Sequence, residues 1–155
     1  MHIVLVEPEI PGNTGNIARL CAATGASLHL VRPLGFSVGD RYLKRAGLDY
    51  WHLVDIHYYD SVEEVLAAYP DAPRFLLTTH AHRSYTRVEY TKDSLLIFGK
   101  ESAGLPEAFR MAHEDECIRI PMVPEARSLN LANSVSIVLY EALRQVHFDL
   151  EEGTI

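Results

Sequence analysis

Three segments of this chain concentrate the residues able to do chemistry. The first is Glu7-Pro8-Glu9-Ile10-Pro11-Gly12-Asn13-Thr14-Gly15-Asn16-Ile17-Ala18-Arg19. The second is Phe98-Gly99-Lys100-Glu101-Ser102-Ala103-Gly104-Leu105-Pro106-Glu107. The third runs from Ile118 to Ser134 and carries Pro121, Pro124, Arg127, Ser128 and Asn130. All three are rich in Gly, Pro and small polar residues. Glycine lets backbone approach a ligand closely, and proline rigidifies the approach. Each segment alone is ordinary turn chemistry; together, beside strand ends, they predict a pocket.

Familiar chemistries fail on spacing. Gly12-Asn13-Thr14-Gly15 could sit at a helix N-terminus, where backbone amides favour anions, but it lacks the Gly-x-Gly-x-x-Gly of a dinucleotide loop. Gly99-Lys100 is no P-loop end, because Glu101 stands where Ser or Thr is needed and Ser94 where the first Gly is needed. Gly99-Lys100-Glu101-Ser102-Ala103-Gly104 has one residue too many before the serine for a hydrolase elbow. His80-x-His82 lacks a third ligand beside it, so it reads as two exposed loop histidines and no metal is expected.

The elements that must position these loops alternate along the chain. Strands are predicted at Ile3–Val6, Leu28–Val31, Trp51–Ile56, Arg74–Thr78, Leu95–Phe98 and Cys117–Ile120. Several are apolar on consecutive positions, as strands covered on both faces are. A helix over Asn13–Thr24 places Ile17, Leu20, Cys21 and Thr24 on one face, with Gly25 as its stop. Ser61-Val62-Glu63-Glu64 reads as a capping box opening a helix through Tyr69, and Pro106 suits the first turn of a short helix to about His113. A last helix, from about Ser128 to Val146, is marked by Leu131, Val135, Val138, Leu139, Ala142, Leu143 and Val146. The pattern predicts an α/β domain with a largely parallel sheet, one domain over residues 1–155.

Composition narrows the class. The net charge of −7 argues against capture of nucleic acid by bulk positive charge but leaves room for a local basic patch. Two distant cysteines, Cys21 and Cys117, exclude a disulfide framework and suit a reducing cytoplasm. The start lacks the pattern of a signal peptide, and no apolar run approaches the ~18 residues of a membrane span, so a cytoplasmic location without membrane contact is expected.

Five stretches then carry a resemblance. They are Glu7-Pro8-Glu9-Ile10-Pro11, Asn13-Thr14-Gly15-Asn16-Ile17, Arg45-Ala46-Gly47-Leu48-Asp49-Tyr50, Ile118-Arg119-Ile120-Pro121-Met122 and Arg127-Ser128-Leu129-Asn130-Leu131. With them, nearly end to end, the chain resembles the SPOUT (α/β-knot) RNA methyltransferases of the branch that methylates ribose 2′-hydroxyls. It is most similar to their small single-domain TrmL type, which acts on the wobble nucleotide of certain tRNAs. The basic extensions of larger relatives are absent, so RNA capture is expected from the core domain.

The resemblance implies a parallel-sheet α/β fold with a deep C-terminal trefoil knot, the last helix threaded behind a loop. It implies S-adenosylmethionine as methyl donor and no metal. The implied donor pocket comprises Leu77, Thr78, Thr79, Gly99, Glu101, Gly104, Leu105, Ile120, Met122, Ser128, Leu129 and Asn133. For Leu77, Ile120 and Met122 the plainer reading is core. The implied catalytic set is Arg19, Asn13, Glu101, Ser128 and Asn130. Arg19 matches the motif arginine to which the family assigns activation of the attacking hydroxyl. A guanidinium is a poor base because its pKa exceeds ~12, so Arg19 is read as positioning and stabilising charge, with Asn13 orienting it. Ser128 and Asn130 are read as holding the ribose or carboxylate ends of the reactants. The plain alternative for Arg19 is a solvated helix arginine.

Arg41, Lys44 and Arg45, with Tyr42 among them, form the densest basic cluster and are the RNA-binding candidates, against the alternative of a solvated helix face. The resemblance further implies a homodimer, with the last helix in its interface, acting on the anticodon region of tRNA. Three alternatives stand beside the wobble-nucleotide reading: 2′-O-methylation at another tRNA or rRNA site, a catalytically inactive knot-fold RNA-binding protein, and a flavodoxin-like nucleotide or phosphate binder. The last is disfavoured by the missing phosphate loop.

Overall fold

Every strand of the sheet runs parallel to its neighbours. The computed structural model describes residues 1–37, 39, 41–43, 45 and 49–146. In chain order the elements are β1 (His2–Val6), α1 (Pro11–Thr24), β2 (Ser27–Val31), α2 (Arg41–Leu43), α3 (Asp49–Trp51), β3 (Ile56–Tyr59), α4 (Val62–Ala68), β4 (Arg74–Leu77), β5 (Leu95–Phe98), α5 (Glu107–Ala112), β6 (Cys117–Ile118) and α6 (Leu131–Gln145). The strand order is β3-β2-β1-β5-β4-β6. Strands far apart in sequence thus become neighbours: Leu5 lies opposite Phe98 on β5, and Leu77 pairs with Phe98 on one side and Ile118 on the other.

The consecutive apolar residues of the inner strands have a simple cause, since both faces are covered. Ile3, Leu5, Leu96 and Phe98 face Ile17 and Cys21 of α1 and Val135, Val138 and Leu139 of α6. Val4, Val6, Leu95 and Ile97 face the other way, toward Val62 and Val65 of α4 and Phe109 of α5. Ile3, Val4, Leu5, Leu95, Leu96 and Ile97 are wholly excluded from solvent. Each such side chain contributes about 1.5–3 kcal/mol by its burial.

Local signals place the boundaries. Gly25 ends α1 in the left-handed conformation, φ 74°, and its N–H donates to the Cys21 carbonyl at 2.8 Å. Ser61 Oγ accepts from the Glu64 N–H at 3.3 Å as the capping box requires, but the Glu64 carboxylate reaches back one residue further and accepts from the Asp60 N–H at 2.9 Å. Pro106 caps α5 from just outside rather than opening its first turn.

Three expectations are corrected. No strand covers Trp51–Ile56: Asp49–Trp51 is a helical turn, closed by bonds from Leu53 N to Tyr50 O and from Val54 N to Trp51 O. Leu53 faces solvent, and the strand starts only at Ile56, where pairing with Leu28 begins. On the far edge, β6 stops at Ile118 rather than Ile120. The Arg119 N–H has turned to the Arg83 carbonyl at 2.9 Å, and Pro121, two residues on, has no N–H to offer a ladder. The last helix starts at Leu131, not Ser128, with Asn130 as its N-cap.

Candidate active site

Because the sheet is parallel, the loops leaving β1, β4, β5 and β6 emerge along one edge. Adjacency of β1 and β5 lays the segment after Val6 against the segment after Phe98. Their junction is a reciprocal clasp. The Glu101 carboxylate accepts from the N–H of Glu9 at 2.8 Å and of Ile10 at 3.0 Å, just ahead of α1. The Glu9 carboxylate accepts from the N–H of Ser102 at 3.0 Å and from its hydroxyl at 2.8 Å. Those two Ser102 bonds favour the ionised form and hold the Glu9 carboxyl below its ordinary pKa.

The third loop joins through amides. Asn13, buried in the first turn of α1, donates from Nδ2 to Glu101 Oε1 at 3.3 Å. Its Oδ1 accepts from Asn130 Nδ2 at 3.0 Å, and Asn130 Oδ1 accepts from the Asn133 N–H at 3.2 Å. One chain of hydrogen bonds therefore runs from the second loop through the first to the N-terminus of α6.

Within the second loop, Gly104 takes φ 71° and returns its N–H to the Lys100 carbonyl at 2.8 Å. The turn is so tight that a Cβ on Gly99 would fall 2.1 Å from the Gly104 carbonyl carbon, so only glycine fits there. The loops enclose a cavity of about 1170 Å³. Leu77, Thr78, Thr79, Gly99, Glu101, Gly104, Leu105, Ile120, Met122, Ser128 and Leu129 line it, with Asn13 and Asn130. Leu105 is buried, Leu77, Ile120 and Met122 are half-buried, and Ser128 and Leu129 are exposed.

Two candidates lie elsewhere. Asn133 is exposed and meets the site only through its backbone bond to Asn130. Arg19 is exposed on α1, its guanidinium 5.0 Å above the ring of Tyr50 on α3. Six residues on a helix are about 240° of rotation, which turns Arg19 away from the face that carries Asn13. The side chain of Asn13 is engaged with Glu101 and Asn130 rather than with Arg19.

Sequence reasoning passed over several wall residues. Glu7, Ile10 and His80 line the cavity, as do Lys100, Arg110, Arg127 and Glu107, giving it both signs of charge. Glu7 and Ile10 belong to the Glu7-Pro8-Glu9-Ile10-Pro11 motif; Arg110 carries no local signal, since only the packing of α5 brings it there. Of the basic cluster, Arg41 and Arg45 are exposed, and Arg41 stacks over Tyr42 at 4.9 Å. Lys44 lies outside the described residues. Among the described residues no three His, Cys, Asp or Glu side chains converge as a metal cluster would require, and no helix is long and apolar enough to cross a membrane.

Comparison with known proteins gives these loops relatives. The SpoU rRNA Methylase family matches residues 1–140. A Methylovorus glucosotrophus protein named tRNA (cytidine(34)-2′-O)-methyltransferase is 48% identical over 147 residues, covering 94% of this chain and 96% of its own length. A Bacillus subtilis protein provisionally given the same name is 50% identical over 151 residues, 96% of this chain and 94% of its own. A structure described as giving insight into 2-OH methylation of C/U34 on tRNA superposes with a TM-score of 0.88 at 45% identity, covering 93% of this chain and 94% of that one. The SpoU methyltransferase AviRb from Streptomyces viridochromogenes, in complex with AdoMet, superposes with a TM-score of 0.80 at 30% identity, over 94% of this chain and 60% of that one.

Proposed function

The chain belongs to the SpoU rRNA methylase family, and from that premise we propose that it transfers a methyl group from S-adenosylmethionine to the ribose 2′-oxygen of the wobble nucleotide, position 34, of tRNA. The observation that carries the reading is the clasped cavity at the carboxyl edge of the sheet, in a chain about half identical to relatives named for cytidine 34.

The cavity suits the donor chemically. S-adenosylmethionine carries a carboxylate, an ammonium and a sulfonium, and the walls supply Lys100, Arg110 and Arg127 beside Glu101 and Glu107. Leu77, Leu105, Ile120 and Met122 offer apolar contact for an adenine, whose edge backbone N–H and C=O groups of the Gly99–Leu105 turn can read. When bound, the donor supplies an activated methyl group. The protein's part is to align the 2′-oxygen, exclude water and stabilise the charge that grows on that oxygen.

Arg19 fits the last role by charge and by fork geometry, though not within its own cavity. That supports a homodimer in which α1 of one subunit presents Arg19 to the other's donor site. Exposed Ile137 and Tyr140 on α6 fit such an interface. Arg41 and Arg45, with Tyr42 between them, suit the phosphates and unstacked bases of an anticodon loop. The same reading takes residues 1–155 as one domain with the knotted C-terminal crossing, and the protein as cytoplasmic.

The test is incubation with bulk tRNA and labelled S-adenosylmethionine, followed by mapping of the modified nucleotide. Label in the 2′-O-methyl group of nucleotide 34 is expected. Label elsewhere in tRNA or in rRNA alone overturns the choice of site, and tRNA binding without transfer overturns the activity.

A further inference from the structure

Glu7 combines an unusual backbone conformation with a place in the cavity wall. It follows β1 directly and, among the described residues, is the one non-glycine with a positive φ, 54°. A glutamate gains nothing locally from that conformation, and such strain persists only where the surroundings over-determine it. They do so here. The Glu7 N–H donates to the Val31 carbonyl at 2.9 Å, extending the β1–β2 ladder by one bond, and Gly35 N donates to the Pro8 carbonyl at 2.9 Å. Gly35 sits so close that a Cβ there would meet the Glu9 Cα at 2.7 Å, so the turn after Glu7 cannot relax in that direction.

The consequence is a glutamate in the cavity wall. Three glutamates line that cavity. Glu101 is committed to Glu9, Ile10 and Asn13. Glu107 is exposed on the first turn of α5. Glu7 is half-buried, and its carboxylate has no hydrogen bond or ion pair among the described residues. Methyl transfer to a ribose hydroxyl releases one proton, which an arginine cannot accept near neutral pH.

We propose that Glu7 is the catalytic general base of this transfer, a role that rests on the methyltransferase reading above. The 2′-oxygen forms a bond to the methyl carbon while the carbon–sulfur bond breaks and its electron pair stays on sulfur, leaving S-adenosylhomocysteine. The hydroxyl proton passes to a Glu7 carboxylate oxygen and from there to water. Arg19 remains the group that stabilises charge on the attacking oxygen.

Single-turnover methylation of tRNA, with enzyme in excess and across a pH series, tests this. Glu7→Gln is expected to slow transfer by about 100-fold or more and to lose the acid limb of the pH–rate profile, while S-adenosylhomocysteine and tRNA affinities stay near wild type. Glu7→Asp is expected to recover part of the rate. Glu7→Gly, which takes φ 54° freely, should keep the fold by circular dichroism and melting yet be as slow as Glu7→Gln. A Glu7→Gln enzyme that transfers at the wild-type rate, or whose deficit vanishes at saturating donor, overturns the assignment and leaves Glu7 at most a counter-charge for the donor. Absence of methylation by the wild-type protein overturns the methyltransferase reading itself, and the base role with it.

Discussion

Glu9 and Glu101 each bind the backbone of the other's loop, Glu101 taking the Glu9 N–H at 2.8 Å and Glu9 taking the Ser102 N–H at 3.0 Å. Each carboxylate is held by donors fixed in the opposite loop. Charge-assisted bonds of this kind are short and stronger than neutral ones. The clasp sets the distance between the first two loops, and hence the mouth of the cavity.

Loss of the clasp should open the site more than it destabilises the fold. Glu101→Ala is expected to cost about 1 kcal/mol in stability, since water can reach Glu9 and the exposed Ile10, but to weaken S-adenosylhomocysteine binding markedly. Glu101→Gln should fare no better, because its NH₂ would face an N–H. Melting curves with and without ligand check both; ligand-induced stabilisation equal to wild type would be the contrary result.

The Asn13–Asn130 bond should be measurable as a coupling. Asn130→Ala loses both this bond and the cap of α6, a cost of about 1 kcal/mol or more, whereas Asn130→Ser keeps a good cap and loses only the bond to Asn13. A double-mutant cycle of Asn13→Ala with Asn130→Ser should return about 0.5–1.5 kcal/mol of interaction by denaturant unfolding. Strict additivity would mean that the two loops are held by other contacts.

Arg19→Ala should lower single-turnover methylation by roughly two to three orders of magnitude, about 3–4 kcal/mol, with reactant affinities changed far less. Arg19→Lys keeps charge but loses the planar fork and should recover part. Tyr50→Phe preserves the aromatic face 5.0 Å below the guanidinium and should be nearly silent, unlike Tyr50→Ala.

Replacing exposed Arg41 and Arg45 with alanine should weaken tRNA binding and reduce the salt dependence of log K by roughly one unit per lost phosphate contact, leaving donor binding intact. Affinity unchanged over a salt series would mark them as a solvated face.

Acid should unfold the protein through His29. Packed out of solvent between His2 and His57, its pKa is pushed down to about 3 by burial and then by those neighbours, from an ordinary 6.5. The unfolded chain takes up that proton below about 6.5 and the folded one does not, so stability is full above that value and falls as pH drops toward about 3. Glu9 adds to the loss once pH falls through the carboxylate range, because its pKa is depressed in the folded state. His29→Leu should flatten the pH dependence of the denaturation midpoint between pH 6.5 and the carboxylate range; an unchanged slope would assign it to other groups.

Much of this protein was legible in its residues because the signals are local. Alternating coverage of Ile3–Val6 and Leu95–Phe98, the Gly25 stop and the Ser61 cap follow from periods and turn chemistry that a few adjacent residues carry. The three loops announced themselves by composition, and their order supported the family. Where a helical turn competed with a strand, at Trp51, local pattern failed because β3 is a half-exposed edge whose start is set by its pairing with β2.

The tertiary structure decided which loop residues meet. Glu101 reaches Asn13 across 88 positions, and Asn130 reaches Asn13 across 117. No local period encodes such contacts; they exist because the order β1-β5-β4-β6 sets the carboxyl ends of those strands side by side. The same packing turned Arg19 onto Tyr50 and out of its own cavity, left Asn133 outside it, and bent the chain at Glu7, which lines the site with no partner for its carboxylate among the described residues. Residue type and spacing determined which chemistry was available, while parallel strand order, with the strain and burial it imposes, decided which groups were free to perform it.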